Sequence, residues 1–117
     1  MKKAMSDPSR LSAPVHRHYF KALERPEERK GCWTFPKRII GSSDWLAGLW
    51  AQRDRIRDKP ALILWGMKDI AFREQELNRW ADLFSNRRVI RYADAGHFIQ
   101  EEKGSEASRE IADFMRA

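Results

Sequence analysis

Two side chains in the second half of the sequence have the types and the placement to act together. Asp69 stands in WGMKD, just past the apolar run ALILW (61–65), and His97 stands in ADAGHF, just past RVIRY (88–92). Both runs read as short strands, so both residues fall on loops beyond strand ends. Neighbouring strands of an open parallel sheet would bring these loops side by side at the carboxyl edge, where functional groups of such sheets gather. A carboxylate beside an imidazole fixes its tautomer and stabilises the imidazolium, which lets the other ring nitrogen act as a general base. The spacing alone fits a purely structural pair as well, because aspartates in turns and histidines in loops are common.

The elements that must position this pair follow from periodicity. ALILW is a short, continuous apolar run bounded by Pro60 and Gly66, the pattern of a strand buried on both faces, as in parallel sheets. Residues 73–85 carry Leu77, Trp80, Ala81 and Phe84 at helical spacing, so 61–92 reads as one strand–helix–strand unit with a right-handed crossover. A last helix is expected from about Ser105, with Ala107, Ile111, Phe114 and Met115 on its buried stripe. Upstream, a helix starts at Ser12, with Pro14 in its first turn and Val15, Tyr19 and Leu23 on one face, and Pro26 ends it. Residues 24–41 read as loop with one helical turn in ERPEERK. Residues 44–57 are an amphipathic helix whose Trp45 and Trp50 suit a core, with Ser42 or Ser43 as its cap. Residues 1–10 show no period and read as a loose arm.

Other chemistry-bearing residues have plainer readings. His16 and His18 lie two apart in a helical stretch and so face different sides, which excludes joint chelation of a metal. Cys32 has no Cys or His at zinc spacing and reads as a packed thiol. Glu101 and Glu102 follow the histidine loop and read as solvated acids on a helix. No metal site and no cofactor are expected.

Composition narrows the class. The chain has 117 residues, 42% of them hydrophobic, with five Trp and six Phe, which suits one globular domain at most. Its single cysteine cannot form an internal disulfide, no apolar run reaches about 18 residues, and MKKAMSDPSR has no apolar stretch to serve as a signal. A cytoplasmic chain with no membrane partner is the expectation. The net charge of +6 is uneven, +7 over residues 1–59 and −1 over 60–117. Bases alternate with acids, as in Arg53, Asp54, Arg55, Arg57 and Asp58, so a solvated helix face accounts for them and no nucleic-acid partner is expected.

From Pro60 to Ala117 the sequence resembles the end of an α/β-hydrolase, and GMKD (66–69) with ADAGHFIQE (93–101) is similar to haloalkane dehalogenases in particular. Epoxide hydrolases end in a related way. In that family the triad acid follows the seventh strand and the histidine the eighth, so the resemblance implies catalytic roles for Asp69 and His97. WTFPKRIIG (33–41) resembles a segment of the family's helical cap, and the resemblance implies substrate contact for Trp33 and Phe35, for which core packing is the competing reading.

The implied fold class is α/β, a partial α/β-hydrolase fold: a helical cap remnant over residues 1–58, then the last two parallel strands with flanking helices over 59–117. No Gly-x-nucleophile-x-Gly turn occurs. GSSDWLAG (41–48) lacks the glycine spacing, and the oxyanion or halide loop is absent too. The expectation is a truncated hydrolase, inactive alone, that meets a small halogenated or ester-like substrate only when completed by an N-terminal part. The rival expectation is an interaction module, pairing through an open sheet edge with a copy of itself or with an N-terminal hydrolase fragment.

Overall fold

A computed structural model describes all 117 residues, as two units: Ser12–Arg55, and Met1–Leu11 together with Ile56–Ala117. The first is helical: α1 (Ala13–Lys21), a 3₁₀ turn (Pro26–Arg29), α2 (Lys30–Ile40) and α3 (Ser43–Ala51). The Ser12 hydroxyl accepts from the Val15 amide at 3.4 Å and Pro14 sits in the first turn, the expected start. The helix stops at Lys21, ahead of Pro26.

Four expectations fail in this unit. Residues 30–40 are a helix rather than loop, even though Pro36 lies inside it and cannot donate to the carbonyl one turn back. Gly31 and Pro36 hid a segment whose remaining residues continue the helical turn begun by PEER. Ser42 and Ser43 do not cap α3 with their side chains. Their hydroxyls instead donate back to the carbonyls of Arg38 (2.6 Å) and Ile40 (3.1 Å), closing the end of α2. Cys32, expected to be packed, is exposed. No residue of this unit is fully buried, and Trp45 lies open to solvent rather than in a core.

The second unit holds β1 (Ala61–Gly66) and β2 (Arg87–Tyr92), joined through α4 (Glu74–Leu83) and followed by α5 (Ile99–Glu102) and α6 (Gly104–Arg116). The strands are parallel and paired from Ala61 with Arg87 to Gly66 with Tyr92, so both end at the same level. Their starts are tied by Ala61 N–H to Asn86 O (3.0 Å) and Ser85 N–H to Arg57 O (3.0 Å). The Glu76 carboxylate accepts from the Arg73 amide at 2.8 Å and opens α4, which buries Leu77, Ala81 and Leu83. Trp80, on the same stripe as Leu77 and Ala81, is 40% exposed. α6 packs on β1, and Arg88 of β2 pairs with Glu110 of α6.

β1 is half-buried rather than closed on both faces, and β2 pairs with only one of its edges. On α6 only Ala107 is buried, while Ile111 and Met115 are exposed. Residues 1–11 are not a loose arm: Met5 and Leu11 are buried, and 3₁₀ turns at Lys2–Ala4 and Pro8–Arg10 shape the segment. The segment belongs with the sheet, not with the helices that follow it. Its backbone hydrogen bonds go to the histidine loop and to Glu102, partners remote in sequence that no periodicity could reveal. No helix is long and apolar enough to cross a membrane.

Two glycines permit the closest approaches. A Cβ on Gly66 would lie 2.2 Å from Gly96 O and 2.8 Å from Ala95 O, so the end of β1 lies directly against the backbone of the histidine loop. Gly66→Ala is therefore expected to destabilise the sheet unit by about 1–3 kcal/mol in denaturant titration, as overpacking does. Gly48→Ala, inside α3 with nothing within 4 Å of the added carbon, is expected to raise helical stability by about 0.5–1 kcal/mol, read from helical circular dichroism.

Candidate active site

The equal ends of β1 and β2 deliver two loops to one place. Met67 N–H donates to Tyr92 O at 3.0 Å and Lys68 N–H to Ala95 O at 2.9 Å, so the acid loop is bonded along the histidine loop. Asp69 N–H closes a turn onto Gly66 O at 3.1 Å. This geometry sets the Asp69 carboxylate against the His97 ring, with Oδ2 and Nδ1 2.8 Å apart. The two residues singled out from the sequence are thus in direct hydrogen-bond contact.

Asp69 divides its two oxygens between two tasks. Oδ1 accepts from the amides of Ala71 (2.7 Å) and Phe72 (3.1 Å), an Asx turn that fixes the carboxylate plane. Oδ2 is left for His97. Burial of this side chain, 10% exposed, pushes its carboxyl upward, but the Ala71 amide, the His97 hydrogen bond, the Phe72 amide and the His97 charge together outweigh it. The net result holds the carboxyl below its ordinary value of 3.8. An ionised Asp69 only accepts, so Nδ1 carries the proton and the lone pair of the neutral ring is on Nε2.

The His97 ring is 33% exposed and flanked by Phe72, centroids 5.5 Å apart, and by Phe98, edge-on at 5.2 Å. It shares the wall of an open pocket of about 260 Å³ with Asp69, Phe72, Leu64, Trp65 and Ile99. An imidazole poised as a base beside an apolar surface, with its tautomer set by a carboxylate, suits proton removal from water near an apolar substrate.

Trp33 and Phe35 lie on α2 in the helical unit, 75% and 65% exposed, with Lys37 Nζ 5.4 Å from the Trp33 ring centre. Neither packs into a core. No group of three or more His, Cys, Asp or Glu is placed to hold a metal ion. Glu102, read as solvated, is buried: its carboxylate accepts from the amides of Ser6 (3.2 Å), Asp7 (3.0 Å) and Gly96 (2.9 Å). Its sequence neighbourhood, QEEK, held no sign of this, since the donors are backbone groups, two of them from the opposite end of the chain.

Parallel strands linked by a helix, with an acid and a histidine on adjacent loops at their carboxyl ends, fit part of an α/β-hydrolase. The chain belongs to that family: residues 17–104 match its model, described as the alpha/beta hydrolase fold. Haloalkane dehalogenase 2 of Mycobacterium tuberculosis H37Rv is 34% identical over 95 residues, covering 80% of this chain and 33% of that protein, and the Mycobacterium bovis protein of the same name matches equally. The cis-3-alkyl-4-alkyloxetan-2-one decarboxylase of Shewanella oneidensis is 36% identical over 56 residues, 48% of this chain and 18% of that protein. The chain spans about a third of the length of the dehalogenases it matches.

Two measurements check the pair. In the neutral form, ¹⁵N spectra are expected to show His97 protonated at Nδ1, and Asp69→Asn, whose amide group offers a donor to Nδ1, is expected to move that proton to Nε2. Because folding lowers the Asp69 pKa, the unfolded chain binds this proton more readily. The stability it contributes is full above its ordinary value and is lost as pH falls through the lower folded value. The stability gap between the native chain and Asp69→Asn should therefore be full well above 3.8 and shrink as the pH falls below it in denaturant titrations.

Proposed function

We propose that Asp69 and His97 are the acid and the base of a haloalkane dehalogenase-type hydrolase site whose nucleophile comes from residues outside these 117. One observation carries this reading: the 2.8 Å contact between Nδ1 and Oδ2 at the carboxyl ends of two paired parallel strands. The dehalogenases among the relatives support the substrate class, a small haloalkane.

In that reaction a carboxylate nucleophile displaces halide from carbon and forms an ester. His97 Nε2 then takes a proton from water while Asp69 stabilises the imidazolium, and the hydroxide attacks the ester carbonyl to release the alcohol. Trp33 and Phe35 would line the substrate side, as cap aromatics. Without the ester the histidine has nothing to hydrolyse, so the chain alone is inactive.

The unpaired edge of β1 favours a second reading, in which these residues act as a module that pairs with an N-terminal hydrolase fragment or with a copy of itself. The two readings are compatible when the partner supplies the nucleophile.

Halide release decides between outcomes. The purified chain is expected to release no bromide from a bromoalkane above buffer. A chimera in which this chain replaces the matching third of the Mycobacterium tuberculosis protein is expected to release it. In the chimera His97→Ala should abolish turnover and Asp69→Asn should lower kcat by about 10³–10⁴-fold, the loss seen when a triad tautomer is wrong. A folded but silent chimera would overturn the reading. Turnover by the chain alone that disappears on His97→Ala would overturn the external nucleophile.

A further inference from the structure

We infer that Glu102 is a positioning residue for His97, acting through the backbone of the loop that carries it. This inference rests on the reading of Asp69 and His97 as an acid–base pair. A carboxylate that is only 5% exposed is costly unless hydrogen bonds compensate its charge. Here the compensation comes from three main-chain amides. Oε1 accepts from Ser6 and Gly96, and Oε2 accepts from Asp7. Arg10 Nη1 adds a hydrogen bond at 2.8 Å to the Glu102 carbonyl oxygen.

The amide of Gly96 immediately precedes His97, and the amide of His97 itself donates to Ala4 O at 2.8 Å. Glu102 therefore grips the residue before the histidine and, through Ser6 and Asp7, the segment that grips the histidine. Gly96 is the only side-chain type that admits this arrangement, because a Cβ there would lie 2.7 Å from both Ala4 O and Ser6 N. The backbone leading into the His97 Cα is thus held from one carboxylate, while the ring is held by Asp69. A loop histidine without that grip would sample several backbone conformations, and the 2.8 Å contact to Asp69 would be made only part of the time.

The test compares the full chain with Glu102→Gln, an isostere whose amide group meets main-chain donors with a donor of its own. Hydrogen exchange at the His97 amide is expected to accelerate by about tenfold or more, and the downfield His97 Nδ1–H resonance to broaden or vanish. Exchange at the Ala61 amide, at the opposite end of the strands, should change by less than about twofold. If Glu102→Gln does not fold, Arg10→Gln decides: it removes the pin on the Glu102 carbonyl together with the surface pairs to Asp7 and Asp94, and should still accelerate His97 amide exchange over that of Ala61, whereas Asp94→Asn, which removes surface pairs alone, should not. A folded variant whose His97 amide exchange and Nδ1–H signal match the native chain would overturn the inference, as would an equal acceleration at His97 and Ala61. Both readouts are spectroscopic on the chain alone, so their outcome is independent of whether a chimera releases halide.

Discussion

Everything at the candidate site depends on how closely two stretches of backbone approach beyond the strand ends. Gly66 ends β1, and the carbonyls of Ala95 and Gly96 occupy the space where any side chain on it would stand. That contact lets Lys68 N–H reach Ala95 O, and the paired loops then carry Asp69 and His97 into register. A chain that kept both chemical residues but held these backbones one side chain further apart would lengthen the 2.8 Å contact and leave two solvated groups. The glycine is therefore as much a part of the site as the acid.

Given that approach, electrostatics determines what the pair can do. Asp69 spends one oxygen on its own loop and one on the histidine, so its orientation is set before His97 is considered. Burial opposes the charge on Asp69, yet two amides and the imidazole more than offset it, and the carboxylate stays ionised through the neutral range. An ionised acid fixes a single imidazole tautomer. The aromatic rings of Phe72 and Phe98 limit the positions of that ring from two sides.

The legible part of this molecule was its local pattern. An apolar run bounded by Pro60 and Gly66 gave β1, RVIRY gave β2, helical spacing gave α4 and α6, and loop residues past strand ends gave the Asp69–His97 pair. What escaped notice was tertiary or masked by breakers. Pro36 and Gly31 concealed α2, although a single proline inside a helix costs one hydrogen bond and some distortion rather than the whole helix. Ser42 and Ser43 have the residue type of a cap, but hydroxyls that close the preceding helix cannot be told apart by type from hydroxyls that open the next one. Burial predicted for Ile111, Met115 and Trp45 did not materialise, because an apolar stripe states what a helix can cover and not whether a surface lies opposite it. Residues 1–11 lacked any period since their order comes from hydrogen bonds to groups some ninety residues away.

The N-terminal segment carries two kinds of polar contact, and magnitudes separate them. On the surface, Asp94 faces Lys103 Nζ at 2.7 Å and Arg10 Nη2 at 3.3 Å, and it is half-exposed. Its pKa is lowered mainly by the Lys103 hydrogen bond, but exposed ion pairs are worth about 0–1 kcal/mol and weaken with salt. Glu102 lies beneath, where an unpaired charge would cost several kcal/mol and three short amide contacts remove that cost. Asp94 can be lost with little consequence for the loop. Removal of the Glu102 carboxylate would strand three inward-pointing amides at once, one of them adjoining His97, so the buried contact rather than the surface pair ties the first residues of the chain to its chemistry.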